Sequence, residues 1–480
     1  MYRRPTGQMV LEGFVLPFAG KLDANNRWVK LSEIMPWEQI EKDYADLFPS
    51  DTGMVAKPLR MALGSLIIKE RCGFTDRETV EQITENPYLQ YFIGLEKYQI
   101  EPPFDPSLMV YFRKRLDEGR MQKINELICQ RGTPKKTKEP SHPPSSDSFE
   151  VWQPDENKGK LLLDATCTPA DIRYPTDLSL LNEAREKMEK TIDTLYNQSL
   201  GLAKKPRTYR KRARRDYLKI TKQRKPHMKA IRKAIGKQLG YMGRNLNTIA
   251  SLFNLDGHGS LNSRQTRELE TIRMLYGQQQ EMYTTKTHRV DDRIVSISQP
   301  HVRPIVRGKA KAETEFGAKV AISMVDGYAF IDHLSWDAFN ESNDLQQAVE
   351  NYRERYGCYP EAVLADQIYR SRGNLLFCKE HGIRLSGPPL GRPSPNKKRE
   401  RKLEQQDMRD RNAVEGEFGV GKRRYGPGRI MARLKETAES IIALQFLVMN
   451  LEHRLRVLFY HFLCAILDVY FGTSRPCLNS

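Results

Sequence analysis

Residues 160–177 read KLLLDATCTPADIRYPTD, and the fold follows from how the first half of that stretch is understood. Three leucines in succession, closed by Asp164, have the pattern of a strand buried on both faces that ends at a sheet edge. The same pattern recurs in Glu361-Ala-Val-Leu-Ala-Asp366. In an open α/β sheet the edge where strands end is where loops leave room for a ligand, so Asp164 and Asp366 are candidate site residues. Taken singly, each has an ordinary explanation as an Asp that caps the turn after a strand.

Between these two strands lies the material of a sheet. Residues 293–298, RIVSIS, are strand-like, and Gly317–Val325 continues through an Asp326-Gly327 turn into YAFIDHLSW. Asp-Gly flanked by alternating apolar residues is a strong hairpin signal. A helix over Asp344–Tyr356, another over Asn374–His381, the short strand GIRLSG and a final helix beginning near MARLKETAES complete an α/β pattern with mixed strand directions. Asp326 and Asp332 are assigned to the hairpin turn, Trp336 to the core, and His288, His301 and His333 to structural or outer roles, since no Cys/His metal spacing accompanies them.

Upstream, residues 1–131 read as a helical N-terminal domain. The first 55 carry few signals and are expected to form a docking segment. From Ala56 an apolar helix runs to Cys72-Gly73; Thr75 with Glu78 fits a capping box; Asn86-Pro87 and Asp105-Pro106 open further helices. Basic edges at Arg71, Arg77, Arg113, Lys114 and Arg115 suit either a helix-turn-helix-like DNA reader or a bundle with solvated charges. Residues 132–159, rich in Pro, Ser and charge, read as a linker. From about 178 to 290 the sequence turns long-helical, and between Lys204 and Lys237 almost half the positions are Lys or Arg with Asp216 the lone acid. Such a block, including Lys211, Arg212, Arg214 and Arg215, repels itself unless a polyanion neutralises it.

Composition agrees. The 480 residues carry a formal charge of +18 with 39% hydrophobic residues, which excludes a disordered chain and favours nucleic acid over other partners. No secretory signal is read at the N-terminus. The apolar stretch Ile441–Phe471 is interrupted by charged residues too often for a membrane span. Seven scattered cysteines suit a reducing cytosol.

A third acidic stretch joins the first two. In MRDRNAVEGEFGVGK, Met408, Arg411, Glu415 and Lys422 are three, four and seven apart, so on a helix they share a face. A carboxylate there suits a hard divalent cation, and the two cations suit phosphates beside it. The bland alternative is a surface pair between Arg411 and Glu415. Glu417 is about 200° round the helix from Glu415, away from both cations, and is the less suitable third carboxylate.

Arg411, Glu415 and Lys422 resemble the Arg-x3-Glu-x6-Lys signature of the DDE transposases of bacterial insertion sequences, in the large group labelled four and five. DATCTPADIRYPTD resembles that group's first-Asp block and VLADQIYRSRGN its second. The full motif places a Tyr where this chain has Met408, and the resemblance implies a DNA contact at that place; Met408 either alters the positioning of the DNA end or is compensated by Tyr369 or Tyr425. It also implies a ribonuclease H-like mixed-sheet catalytic domain over 160–455, with the basic helical insertion at about 178–290 and a helical tail over 456–480. Asp164, Asp366 and Glu415 would be the catalytic carboxylates and the ligands of two Mg²⁺ or Mn²⁺ ions. Arg411 and Lys422, with Lys211, Arg212, Arg214 and Arg215, would bind DNA. The implied activity is metal-dependent phosphodiester cleavage at element ends and strand transfer into target DNA, by a homodimer on double-stranded DNA at the terminal inverted repeats, in the bacterial cytoplasm and associated with the nucleoid. The alternative is a catalytically inactive, transposase-derived DNA-binding protein.

Overall fold

The computed structural model describes residues 14–16, 20–48, 55–130, 157–198, 205–256, 261–309, 312–387, 402–412, 416, 419 and 429–471. In chain order it opens with the helices α1 (Arg27–Ile34), α2 (Trp37–Ala45), α3 (Leu59–Cys72), α4 (Asp76–Glu85), α5 (Pro87–Phe92), α6 (Leu108–Arg115) and α7 (Glu118–Gln130). Strand β1 (Lys160–Pro169) precedes the long helices α8 (Asp177–Gln198), α9 (Arg210–Thr221), α10 (Met228–Asp256) and α11 (Ser263–Thr285). Then follow β2 (Arg303–Lys309), β3 (Ala312–Val325), β4 (Tyr328–Ser335), α12 (Leu345–Tyr356), β5 (Ala362–Leu364), α13 (Arg372–Glu380), β6 (Arg384–Leu385), a helix α14 described over 402–412, and α15 (Lys435–Phe471).

The strands form one mixed sheet in the order β2-β3-β1-β5-β6, with β4 also paired to β3. The hairpin is where the sequence puts it. Asp326 and Gly327 take φ of 49° and 80°, the two positive angles of a type I′ turn, and Val325 pairs with Tyr328. β1 and β5 run parallel, as do β5 and β6.

Two compact units divide the chain: Met1–Thr168 with Lys319–Ser335 and Phe339–Ser480, and Pro169–Ala318 with Trp336–Ala338. In the first, Ile441, Ile442, Leu444, Phe446, Leu447 and Leu451 bury one half of α15. Polar side chains along this helix select its partners. Ser440 Oγ donates to the carbonyl of Arg113 at 3.0 Å, Gln445 donates to Glu70 at 3.3 Å, and Glu452 accepts from Arg71 at 2.5 Å. Local signals explain the N-terminal helices. Thr75 and Glu78 form the reciprocal capping box, and Gly73, at φ 73°, ends α3 in the left-handed region. The Asp105-Pro106 start is displaced: Asp105 accepts from Ser107 N in a turn, and α6 begins only at Leu108.

Helices α1 and α2 occupy residues where the sequence carries few signals and a docking segment is expected. Their signal was present but short. Asn26 caps α1 by accepting from Trp28 N at 2.9 Å, and Trp28, Val29, Leu31, Ile34, Trp37, Ile40 and Tyr44 are buried.

The second unit is a helical bundle whose core includes Leu181, Met188, Ile192, Leu195, Met242, Ile249 and Leu275. The expected strand at 293–298 has no ladder. Ile294 and Ile297 instead enter this helical core, and the Gln278 side chain accepts from Ile294 N at 3.0 Å. Alternating apolar residues thus seat an extended segment on helices here. Trp336 is buried and meets His301 edge-on at 4.4 Å between centroids. Among the described residues no helix is long and apolar enough to cross a membrane.

The edge strand β4 is closed by a side chain. Asn450 on α15 accepts from Ala329 N at 2.8 Å and donates to Ala329 O at 2.7 Å, reproducing what a neighbouring strand would offer; it also donates to Asn125 at 2.7 Å. Ala329 and Asn450 are each 1% exposed. Asn450→Leu keeps the volume but strands the Ala329 N–H and the Asn125 Oδ1, at about 1–3 kcal/mol each, while Ala329 O keeps the bond donated by Asn125 Nδ2 at 3.1 Å. Urea unfolding should show a loss on the order of 2–5 kcal/mol, whereas a loss under 1 would mean that Asn450 is not the edge partner.

Candidate active site

β1 and β5 are bonded at Lys160↔Ala362, Leu161↔Val363 and Leu162↔Leu364. Carried on by two residues, that register sets Asp164 level with Asp366. Ala362, Val363 and Leu364 are all buried, as a central parallel strand requires, yet the Asp366 side chain is 61% exposed. The change from core to solvent takes two residues because Ser386, following β6, holds Ala365: its Oγ accepts from Ala365 N at 3.0 Å, while its own N donates to Val363 O at 2.8 Å. Asp164 Oδ1 accepts from the N–H of the next residue on β1, Ala165, at 2.8 Å.

The loop beyond Asp366 is also tied down. Arg370 donates to the carbonyls of Leu385 and Ser386 at 2.9 and 2.6 Å, and Asn374 donates to the carbonyls of Tyr369 and Ser342 at 2.9 and 2.8 Å. Tyr369 is 2% exposed, so it is a core side chain and not the DNA contact expected to replace the missing Tyr. Burial, and then the negative charges of Glu341, Asp164, Asp344 and Asp332, push its pKa up. Met408, in contrast, is exposed.

Three ion pairs dock α14. Arg384 grips Asp407 through two bonds of 2.6 and 3.0 Å, Lys160 reaches Asp410 at 2.8 Å, and Arg411 reaches Asp366 at 2.5 Å. Residues 407, 410 and 411 are three and four apart, so one face of α14 carries all three. Asp407 is 4% exposed, and its hydrogen bonds hold the Arg384 pKa up. Partial burial pushes Asp410 up, but Lys160, Gln406 and Arg384 outweigh it and hold Asp410 below the usual carboxylate range. Arg411 therefore lies on the second carboxylate. Glu415, Lys422, Glu417 and Tyr425 lie outside the described residues. The docking residues Lys160, Arg384, Asp407 and Asp410 were not singled out from sequence. Asp407 and Asp410 share the spacing that drew attention to Arg411, but their partners are distant in the chain.

Among the described residues no group of three or more His, Cys, Asp or Glu side chains stands ready to hold a metal ion. His333 faces Asp344 at 3.2 Å and stacks on Phe339, a structural role. Asp332 lies on β4 and not in the hairpin turn, accepting from Asn351 at 3.3 Å. In the second unit Lys211, Arg212, Arg214 and Arg215 are all exposed on α9.

Residues 363–452 match a family model described as a transposase DDE domain, and residues 17–115 match one described as a transposase domain (DUF772). The first runs from β5 into α15 and contains Asp366, Arg411 and Glu415; the second covers α1 to α6. A Rhizobium meliloti protein named "Uncharacterized protein ORF8 in nfe locus" is 26% identical over 175 residues, 36% of this chain and 77% of that protein. No solved structure matches. The two domain matches support a DDE-type insertion-sequence transposase, and DDE transposase domains generally use divalent metals.

Burial pushes Asp332 up to about 6. A carboxyl with a raised folded pKa binds its proton more tightly folded than unfolded, so its contribution is fullest below the unfolded value and is lost as pH rises through about 6. Asp332→Asn should therefore melt at a higher temperature than the unaltered protein at pH 7, with the gap closing toward pH 4. Parallel melting curves across that range would show that Asp332 ionises at no cost.

Proposed function

We propose that this chain is the DNA transposase of an insertion sequence, cleaving phosphodiesters at element ends and transferring the freed strand into target DNA. The observation that carries the reading is Asp366: a carboxylate emerging from a fully buried parallel strand, level with Asp164 by register and gripped by Arg411, within the stretch that matches a transposase DDE domain. The strand order, with a β3–β4 hairpin beside β1 and parallel β5 and β6 beyond it, supports a ribonuclease H-like catalytic domain. The Arg-x3-Glu-x6-Lys spacing supports placement in group four and five.

Asp164, Asp366 and Glu415 are the proposed ligands of two Mg²⁺ or Mn²⁺ ions. Their hard oxygen donors suit such cations, and Asp366 is open to solvent. When bound, two such ions supply Lewis acidity that activates a water or 3′-hydroxyl and stabilises the leaving oxygen of an in-line displacement. The chain's own cations do the rest. Arg411 balances the Asp366 charge, and once that carboxylate is otherwise compensated its guanidinium is free to take a backbone phosphate, as is the ammonium of Lys422. Lys211, Arg212, Arg214 and Arg215 bind the DNA backbone further off, and the N-terminal helical region, residues 1–131, is the proposed DNA reader. Two element ends handled together call for a homodimer on the DNA, acting in the cytoplasm at the nucleoid.

Inverted repeats flanking the gene provide the substrate for the test. With Mg²⁺, Asp164→Ala, Asp366→Ala and Glu415→Ala should each lower cleavage by roughly a thousandfold or more, about 4 kcal/mol of barrier, while retaining DNA binding. Cleavage by the triple variant at the unaltered rate would refute the assignment, and binding without metal-dependent cleavage by the unaltered chain would favour the inactive DNA-binding alternative. Arg411→Ala should leave Mn²⁺ binding intact, weaken binding to end DNA and lower its salt slope by about one. An unchanged slope would remove Arg411 from the phosphate contacts.

A further inference from the structure

The outward face of α9 carries more uncompensated charge than any packing role needs. Lys211, Arg212, Arg214, Arg215, Lys219 and Lys222 are all exposed, and at 100° per residue they cover an arc of about 160°. Among the described residues none of the six has an acid within ion-pair distance. The nearby acids are already engaged: Asp193 with Lys205 and Arg210, and Asp216 with Lys237 and the Tyr241 hydroxyl. The exposed side chains of the arc are all Lys or Arg, with the half-buried Leu218 among them and without the Asn or Gln that would read adenine.

The inward side of the helix is rigidly seated. Ala213 is fully buried and its carbonyl accepts from the buried Gln238 of α10 at 3.0 Å. Tyr209 and Tyr241, interleaved with the basic residues, are spent on the same docking. Tyr241 is 8% exposed, and the Arg244 guanidinium lies over Tyr209 and Tyr241 at 5.1 and 4.9 Å. Unstacked bases of a single strand need exposed aromatic platforms, and these rings do not offer them. A duplex backbone needs only charge, at one phosphate per about 1.7 Å of axis. Lys211 to Lys222 spans about 16 Å at 1.5 Å per residue, enough to face several phosphates.

We infer that the outward face of α9 is a sequence-independent docking surface for duplex DNA, leaving the selection of end sequences to other parts of the chain. The inference rests on the reading that the protein acts on DNA. Fluorescence anisotropy of the full chain against three unrelated 30-base-pair duplexes and a 30-nucleotide single strand, across a KCl series, tests it. The variant Lys211→Ala/Arg214→Ala/Arg215→Ala/Lys219→Ala should lose at least tenfold in affinity for all three duplexes equally. Its slope of log K against log salt should fall by about three to four, near 0.9 per lost phosphate contact, with a smaller loss on the single strand. Lys211→Arg/Lys219→Arg, which keeps the charge, should bind as the unaltered protein does. An unchanged slope, a loss confined to one duplex, or a larger loss on the single strand would overturn the inference while leaving the DNA reading standing. Failure of the unaltered chain to bind any probe would overturn both.

Discussion

Strand β5 offers three residues to the sheet, and each must be buried between β1 and β6 in one register for two aspartates distant in sequence to come level. A parallel pair this short has few ladder hydrogen bonds to resist a slip, and a slip of one residue would turn Asp366 toward the opposite face. The surroundings supply the missing restraint. Ser386 brackets Ala365, Arg370 ties the following loop to the end of β6, and Asn374 holds Tyr369 in the core. Much of the local polar chemistry is thus concerned with where one carboxylate emerges.

The docking of α14 belongs to the same constraint. Its three ion pairs are partly exposed, and exposed pairs contribute about 0–1 kcal/mol each, so their importance is geometric. Arg384–Asp407 and Lys160–Asp410 anchor the helix to β6 and to the start of β1, and Arg411 is thereby carried to Asp366. Two populations of basic residue result. Those near the carboxylates are paired and position elements; those on the outward face of α9 have no acid within ion-pair distance among the described residues, and their repulsion is a cost that a polyanion would offset.

How much could be read in advance follows the range of the interactions. The hairpin turn, the capping box and the apolar runs leading to Asp164 and Asp366 are local, and their residues carry the instruction within a few positions; β1, expected to end at Asp164, instead runs on to Pro169, because Ala165, Thr166, Cys167 and Thr168 are buried in the sheet in their turn. Residues 293–298 failed as a strand because alternation records only that one side is apolar, and here that side meets helices. Helices α1 and α2 were too short for periodicity to stand out. Asp332, read as a turn residue, lies within β4, where burial raises its pKa.

By itself the sequence determined which carboxylates follow apolar strand segments, where the positive charge is concentrated, and the Arg-x3-Glu-x6-Lys spacing, since each depends on residue type at short separations. Only the tertiary structure decided the register that sets Asp164 level with Asp366, that Arg411 lies on Asp366, that Tyr369 is buried while Met408 is exposed, and that Tyr241 of the basic region is buried. Those outcomes depend on which distant segments pair, and a register or a helix face is chosen by the partner across the interface, which no local pattern names.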